Sequence, residues 1–234
     1  VCSSDLFASI CGTDMHIFPG DFHPRTQVPF IPGHEFAGVV EEVGSGVTGF
    51  EKGDKVAVDP IIWCNECPAC LRKHYPACTK LKLLGVDMDG GFAQYISVPP
   101  HMLFKAAPQI PDEHVALVEI YGIGFHANRR AGTQEGDVIA IWGAGRVGQV
   151  ILQAARTKTT GTIFMVDPFE NRLEIAAKNF ENVITINPKK ENPVEAIKRL
   201  TDGKGVDIAF EAVGHAEEIE GVYTPVRSCI QSLR

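Results

Sequence analysis

The chain reads Val138-Ile139-Ala140-Ile141-Trp142-Gly143-Ala144-Gly145-Arg146-Val147-Gly148 where an apolar strand gives way to a helix. In this pattern Gly143 permits a tight turn, Gly145 lets the backbone approach a pyrophosphate, and Gly148 packs the helix against the strand. The helix that opens at Arg146 and Val147 offers unpaired N–H groups to the anion. Because strand and helix flank the glycines as they should, the stretch predicts a dinucleotide-binding turn.

The sequence around this turn alternates between strand and helix. Strands are predicted at Val138–Trp142, Thr162–Val166, Val183–Ile186 and Val206–Phe210, and helices at Val147–Arg156, Arg172–Asn179 and Val194–Leu200. Such alternation predicts an α/β domain with a parallel sheet covered on both faces. The pattern stops after the fourth strand, whereas a complete doubly wound sheet has six, so we expect a truncated one.

Asp167 stands at the end of the second predicted strand of this sheet. A carboxylate there hydrogen-bonds the ribose hydroxyls of NAD and repels the 2′-phosphate of NADP, so we predict NAD as the cofactor. The alternative is a simple Asp-Pro turn. Arg172 is a second candidate because it can reach an adenosine phosphate, although solvation on a helix surface also explains it.

Four cysteines, Cys64, Cys67, Cys70 and Cys78, fall within fifteen residues. Four thiolates satisfy the tetrahedral coordination of zinc and leave no position open, so we predict a structural zinc site. The alternative is a pair of disulfides within the loop. No secretory leader is visible, and seven cysteines then favour a reducing, cytoplasmic location.

The first half of the chain differs from the second in composition and in its hydrophobic pattern. It is rich in glycine, proline and short β-type runs such as Phe36–Val40 and Lys55–Val58, which predicts a mainly antiparallel β domain. Turn-forming, polar residues lie between 131 and 136. We therefore predict one domain over residues 1–130 and a second over residues 131–234.

Composition excludes several classes of protein. A net charge of -7 offers no positive surface for nucleic acid or for an anionic membrane. No apolar run approaches the roughly 18 residues of a membrane span. We expect a small-molecule ligand rather than nucleic acid or membrane.

The first half also holds candidate ligands for a second metal. A catalytic zinc ion takes three protein ligands and keeps one position for water or substrate. Cys11 and His34 supply a thiolate and an imidazole, and a carboxylate would complete three. The residues alone leave Glu35 and Glu119 open as that carboxylate, and the alternatives for Glu119 are a solvated residue or an ion-pair residue between the domains.

The order of these motifs resembles the zinc-dependent medium-chain alcohol and polyol dehydrogenases. Cys11-Gly12-Thr13-Asp14-Met15-His16 comes first, followed by Gly33-His34-Glu35, Gly53-Asp54-Lys55-Val56, the four cysteines and the nucleotide turn. The resemblance runs from about Phe7 to about Gly221. It implies a GroES-like catalytic domain joined to a Rossmann domain, with two zinc ions per subunit and the active site in the cleft between the domains.

The resemblance also assigns roles to single residues. Cys11 and His34 match zinc ligands, Glu119 matches the third ligand, and Glu35 is similar to a carboxylate that binds the metal or sits behind it. Asp14 resembles the partner that orients the ligand histidine. Thr13 matches the hydroxyl that receives the substrate proton, and His16 the next proton acceptor towards solvent.

The implied activity is hydride transfer from a secondary alcohol, of polyol or sugar origin, to NAD. The alternative enzyme is an L-threonine 3-dehydrogenase, and the alternative of another class is a non-catalytic, zinc-stabilised fragment. The family also implies a homo-oligomer for the full-length protein. Three departures limit the resemblance: Ile120–Tyr121 follow Glu119, the chain starts without the leading strands of such a domain, and the sheet stops after its fourth strand. The segments 1–6 and 223–234 also match nothing expected there. We therefore expect a truncated or frame-shifted sequence rather than a complete enzyme.

Overall fold

The computed structural model describes residues 2–214 and 224–234, with side chains from residue 7 onward. The backbone divides into two compact units, Val1–Glu119 and Ile120–Arg234. We predicted the division at residue 130, and that domain boundary stays a prediction. Helix α4, Val118–Ala131, crosses the point where the units divide. No helix within the described ranges is long and apolar enough to cross a membrane.

The first unit is built on a five-stranded antiparallel sheet. Its strands are β1 (Cys2–Ser9), β2 (Glu35–Glu42), β3 (Lys55–Val58), β6 (Tyr95–Ser97) and β7 (Leu103–Lys105), in the order β6-β1-β2-β3-β7. Strands β4 (Ile61–Ile62) and β5 (Lys82–Leu83) form a separate ribbon. The predicted antiparallel β fold of this half is confirmed.

The larger apolar cluster of this unit lies on one face of the sheet, and a smaller one, with Ala37 and Ala57, lies on the other. Phe36, Val40, Val56, Val58 and Met102 are buried in the larger cluster and pack together. The described part of the unit also holds three short α-helices and two 3-10 helices, namely α1 (Gly12–Ile17), α2 (Pro68–Leu71), α3 (Asp112–Val115), Tyr75–Ala77 and Pro100–Met102. The expectation that residues 1–6 are foreign to this domain was wrong, because β1 pairs with both β2 and β6 from Cys2 onward.

The second unit is a four-stranded parallel sheet in the order β10-β9-β8-β11. The strands are β8 (Ile139–Trp142), β9 (Ile163–Val166), β10 (Val183–Ile186) and β11 (Ile208–Glu211). The helices are α5 (Arg146–Arg156), α6 (Glu170–Asn179), α7 (Pro193–Leu200) and α8 (Pro225–Ser232). The fourth strand begins two residues later than we predicted, and Val206 instead bridges to Leu233.

Alternate residues of β8 point to opposite faces, as the period of a strand requires. Ile139 and Ile141 pack with residues of α5 and α6 on one face. Ala140 and Trp142 pack with residues of α7 and α8 on the other. The predicted doubly wound sheet is thus confirmed. The tail that we expected to match nothing contributes α8 to this packing, and Tyr223 lies outside the described residues.

Candidate metal and nucleotide sites

The four predicted zinc-ligand cysteines converge on one point. Their sulfur atoms all lie within 4.8 Å of one another, and the Cys64 sulfur is 3.9 Å from that of Cys70 and 3.5 Å from that of Cys78. Sulfurs bound tetrahedrally to one zinc ion at about 2.3 Å stand about 3.8 Å apart. The spacing therefore fits a zinc ion, which these four thiolates would hold.

The disulfide alternative for these residues was wrong. All four are free thiols, and their sulfurs stand well beyond the roughly 2.05 Å of a disulfide bond. Backbone N–H groups point at the sulfurs instead, from Cys64 and Lys80 to Cys78 and from Cys67 to Cys64, at 3.3–3.4 Å. Such donors stabilise thiolate charge.

The thiols of this lobe titrate unequally. Backbone hydrogen bonds at Cys70 and Thr79 lower the pKa of Cys67 to about 5, whereas burial raises the pKa of Cys70 to about 12. Burial opposes ionisation of Cys78, but hydrogen bonds from the backbone of Cys64 and Lys80 outweigh it and lower the pKa of Cys78 as well. The chain thus favours thiolates at two of the ligand positions before a metal arrives. Metal binding displaces the remaining protons, so ligation and folding of the lobe are coupled.

The second donor set is assembled by the pairing of β1 with β2. Ser9 at the end of β1 stands opposite Glu35 at the start of β2. The chain turns into α1 immediately after β1, so Cys11 is carried towards His34 and Glu35. One ligand atom from each of these three residues lies within 4.8 Å of the others.

Burial makes this second set a poor place for uncompensated charge. Glu35 is 1% exposed and His34 is 5% exposed. Burial raises the pKa of the Cys11 thiol, hydrogen bonds with Thr13 oppose the rise, and the Glu35 carboxylate adds to it. A cation at the centre would compensate both anionic groups, so the chemistry of the set fits a zinc ion.

Asp14 contacts both Cys11 and His34 of this donor set. Its Oδ2 accepts a hydrogen bond of 2.8 Å from the backbone N–H of Cys11. Its Oδ1 lies 3.8 Å from Nδ1 of His34, and both atoms are buried without a hydrogen-bond partner in the described part of the chain. A histidine that ligates a metal through Nε2 keeps its proton on Nδ1, facing a carboxylate such as this one.

The two predicted proton carriers lie on the same helix. Thr13 Oγ1 is 3.8 Å from the Cys11 sulfur, so its hydroxyl borders the donor set. His16 is exposed, and its Nδ1 is 2.9 Å from a carboxylate oxygen of Asp21. Sequence reasoning missed Asp21, for which the only signal was a carboxylate five residues after a histidine.

Glu119 is half-buried at the start of α4 and is not among the donors that converge. The set that does converge favours Glu35 as the third ligand. The assignment of Glu119 as a zinc ligand stays a prediction.

The three glycines of the nucleotide turn differ in the way the sequence predicts. Gly143 has φ +99°, and a Cβ there would come 2.7 Å from the carbonyl oxygen of Ala212. A Cβ on Gly148 would lie 1.8 Å from the carbonyl oxygen of Gly143. Nothing lies within 4 Å of a Cβ on Gly145. The turn is therefore closed at its outer glycines and open at the middle one, as approach of a pyrophosphate requires.

Asp167 follows β9 and is 3% exposed. Its Oδ2 accepts a hydrogen bond of 2.8 Å from the backbone N–H of Ala144 within the turn, and its Oδ1 accepts one of 2.9 Å from that of Phe169. Arg172 reaches the carboxylate at 3.6 Å and also lies over the Phe169 ring. The chain thus places Asp167 and Arg172 together beside the turn, where Arg146 and Val147 are exposed at the first turn of α5.

Two family models match the chain. The model for the alcohol dehydrogenase GroES-like domain matches residues 6–112, and the model for zinc-binding dehydrogenases matches residues 147–227. Together they cover most of the sequence, one in each compact unit.

Individual relatives give the same result. The chain is 37% identical to sorbitol dehydrogenase of Bacillus subtilis, in an alignment that covers 95% of this chain and 64% of that protein. It is 38% identical to L-threonine 3-dehydrogenase of Pyrococcus furiosus, covering 92% of this chain and 62% of that protein. The chain thus spans a little under two thirds of the length of these curated relatives.

Among solved structures, a zinc-binding dehydrogenase of Sinorhizobium meliloti bound to NADP superposes with a TM-score of 0.91 and 29% identity, covering 100% of this chain and 66% of that one.

Proposed function

Because the chain belongs to the family of zinc-dependent medium-chain dehydrogenases, we propose that the protein transfers a hydride from a secondary alcohol to a nicotinamide cofactor. The observation that carries the proposal is the convergence of Cys11, His34 and Glu35, three protein donors of the kind that leave a fourth position for substrate. The likeness to sorbitol dehydrogenase favours a polyol or a sugar-derived alcohol as substrate.

A zinc ion held by these residues would act as a Lewis acid towards the substrate oxygen. Asp14 would hold His34 in the orientation that keeps one imidazole nitrogen free for the metal. The Thr13 hydroxyl, next to Cys11, would accept the proton released from the alcohol. His16 is exposed and would pass that proton to water, with its Nδ1 held 2.9 Å from a carboxylate oxygen of Asp21.

The nicotinamide cofactor would bind at the turn between β8 and α5. The open space at Gly145 supports approach of its pyrophosphate. Asp167 supports NAD over NADP, because the 2′-phosphate of NADP would place a second negative group beside the buried Asp167 carboxylate. The Asp167 carboxylate already accepts two backbone hydrogen bonds, so ribose binding would use its remaining lone pairs.

The test is a steady-state assay of the full-length enzyme loaded with zinc, using sorbitol-type polyols, L-threonine and both cofactors. We expect turnover with polyols and NAD. A marked preference for L-threonine would favour the alternative enzyme, since one close relative is an L-threonine 3-dehydrogenase. Turnover with none of these would leave the non-catalytic alternative.

Two substitutions make the assay specific to the nucleotide turn. Gly145→Ala places a methyl group in the open space and should raise the dissociation constant for NAD without changing the melting temperature, since Gly145 has φ -71°. Asp167→Ser should narrow the preference for NAD over NADP. A wild-type enzyme that prefers NADP would refute the assignment of Asp167.

The same reasoning extends to location and assembly. Free thiols at six described cysteines support a reducing compartment such as the cytoplasm. We propose a homo-oligomer for the full-length protein on the basis of the family resemblance, and size-exclusion chromatography with light scattering would test it.

A further inference from the structure

The segment that leads into His34 is hydrogen-bonded at both of its ends to a second loop. We call residues 25–33 the ligand segment and residues 83–92 the brace. Three backbone hydrogen bonds join them next to the metal site, from Gly90 to Ile31 at 2.7 Å, from Phe92 to Pro32 at 3.0 Å and from Gly91 to Gly33 at 2.8 Å.

Gly33, the residue before His34, is enclosed by the brace. It has φ +97°, and a Cβ there would overlap the Phe92 ring, 2.3 Å from Cδ1. A Cβ on Gly90 would lie 2.1 Å from the Gly33 carbonyl oxygen. The position of Gly33 is therefore set by the brace, and His34 follows it directly.

Only the brace is anchored in the core of the unit. Leu84 is buried with Phe36 and Met102 in the cluster beneath the sheet. The ligand segment contributes no residue to that cluster, and its Val28 is 84% exposed. The ligand segment is therefore positioned by the brace and, at its end, by β2, which begins directly after His34.

A bidentate ion pair closes the far end of this contact. Arg25 donates from Nε to Oδ1 of Asp87 and from Nη2 to Oδ2, both at 2.8 Å. The backbone N–H of Leu83 also donates to Oδ2 at 2.8 Å, which fixes the carboxylate. Thr26 Oγ1 donates to the Val86 carbonyl at 2.9 Å, directly inside the ion pair.

We propose that Arg25 and Asp87 are positioning residues for the metal ligand His34, and that their paired side chains hold the ligand segment on the brace. The proposal rests on the metal site proposed above. Neither residue belongs to the converging donor set. Their effect passes through the ligand segment, in the way that outer contacts orient the ligands of a metal.

The experiment measures metal affinity rather than activity. A chelator removes the ion from the Cys11 site of the zinc-loaded protein, and Co(II) is titrated back while the absorption of the thiolate–cobalt bond is followed. The variants are Arg25→Ala, Asp87→Ala, Arg25→Lys and the double exchange Arg25→Asp/Asp87→Arg. Lys52→Ala is the control, because Lys52 forms an ion pair of 2.9 Å with Glu41 in the same unit, and neither residue belongs to the ligand segment or the brace.

We expect the two alanine variants to bind Co(II) about tenfold to a hundredfold more weakly, with the zinc content of the four-cysteine site unchanged. The Co(II) affinity of Arg25→Lys should lie between those of the wild type and the alanine variants, because lysine keeps the positive charge but not the planar guanidinium group. The double exchange should recover part of the loss. Equal affinity for wild type and alanine variants, or loss of both metals together, would overturn the proposal. Absence of a second metal from the wild type would overturn the metal site itself.

Discussion

The two donor sets of the first unit are built in opposite ways. The four cysteines lie in one loop, and their sulfurs are brought together by short turns and by backbone N–H groups of the same loop. Cys11 and His34 are separated by more than twenty residues, and they meet because β1 and β2 pair in one register. One site therefore organises a loop, whereas the other depends on a fold that is already formed.

This difference gives the metals different consequences for stability. A metal that organises its own loop contributes its binding free energy to folding. A metal that enters a preformed set adds stability only through mass action. Loss of the metal should therefore lower the free energy of unfolding strongly at the four-cysteine site and only weakly at the Cys11 site.

The largest effect is expected from Cys67→Ser. Loss of one thiolate should empty the four-cysteine site and lower the free energy of unfolding by about 4 kcal/mol or more, as loss of a structural metal does. Metal analysis and denaturant unfolding measure the two quantities. If the variant keeps both metals and full stability, the structural assignment is wrong.

His34→Ala should remove the other metal and spare the fold. The imidazole lies at a strand end rather than in the core cluster, so we expect a cost of about 1 kcal/mol, typical of a point substitution. Thermal unfolding of the zinc-loaded variant beside Cys67→Ser makes the comparison direct. A loss of stability as large as that of Cys67→Ser would contradict the distinction between the sites.

The third ligand is the next point to sharpen. Glu35→Gln should weaken Co(II) binding at the Cys11 site by about tenfold or more, because Glu35 belongs to the converging donors. Glu119→Gln is the matched variant and should have a smaller effect. The reverse order would assign the ligand to Glu119, as the family resemblance implies.

The smallest effect is expected on the free energy of unfolding at low pH. Hydrogen bonding to Arg25 holds the pKa of Asp87 below its ordinary value. A carboxyl whose pKa is lower in the folded state adds stability above its unfolded pKa, about 4, and loses it as the pH falls through the folded value. Asp87→Asn should therefore flatten the pH dependence of unfolding below about pH 4, by less than about 1 kcal/mol because Arg25 is half exposed. An unchanged acid limb would show that the ion pair does not hold in solution.

What could be predicted from the sequence follows the same division. The four cysteines and the glycines of the nucleotide turn lie close together in the sequence, so their chemistry can be predicted without knowing the fold. Strands β3 and β10 were predicted to the residue because their side chains carry the β pattern. Strand β1 was missed, because its pairing with β2 and β6 depends on backbone hydrogen bonds and not on apolar alternation.

Long-range partners carry no such local signal. Arg25 and Asp87 stand 62 residues apart, and each by itself reads as a solvated surface charge. The choice between Glu35 and Glu119 also needed coordinates, since both fit the family pattern. Sequence reasoning identified which side chains can bind metal, and the register of β1 against β2 determined which of them converge.

The enclosure of Gly33 has a consequence for how this chain can change by mutation. A Cβ on Gly85 would lie 2.5 Å from the Gly33 carbonyl oxygen, and a Cβ on Gly90 would lie 2.6 Å from the Gly85 Cα. Gly85 and Gly90 are thus blocked by the main chain of another glycine of the trio, whereas Gly33 has φ +97° and is blocked by the Phe92 ring. A second substitution within the trio therefore cannot relieve the first. A randomised library at these codons should return glycine at all three among folded clones, and new metal-site variants will have to come from the positions around them.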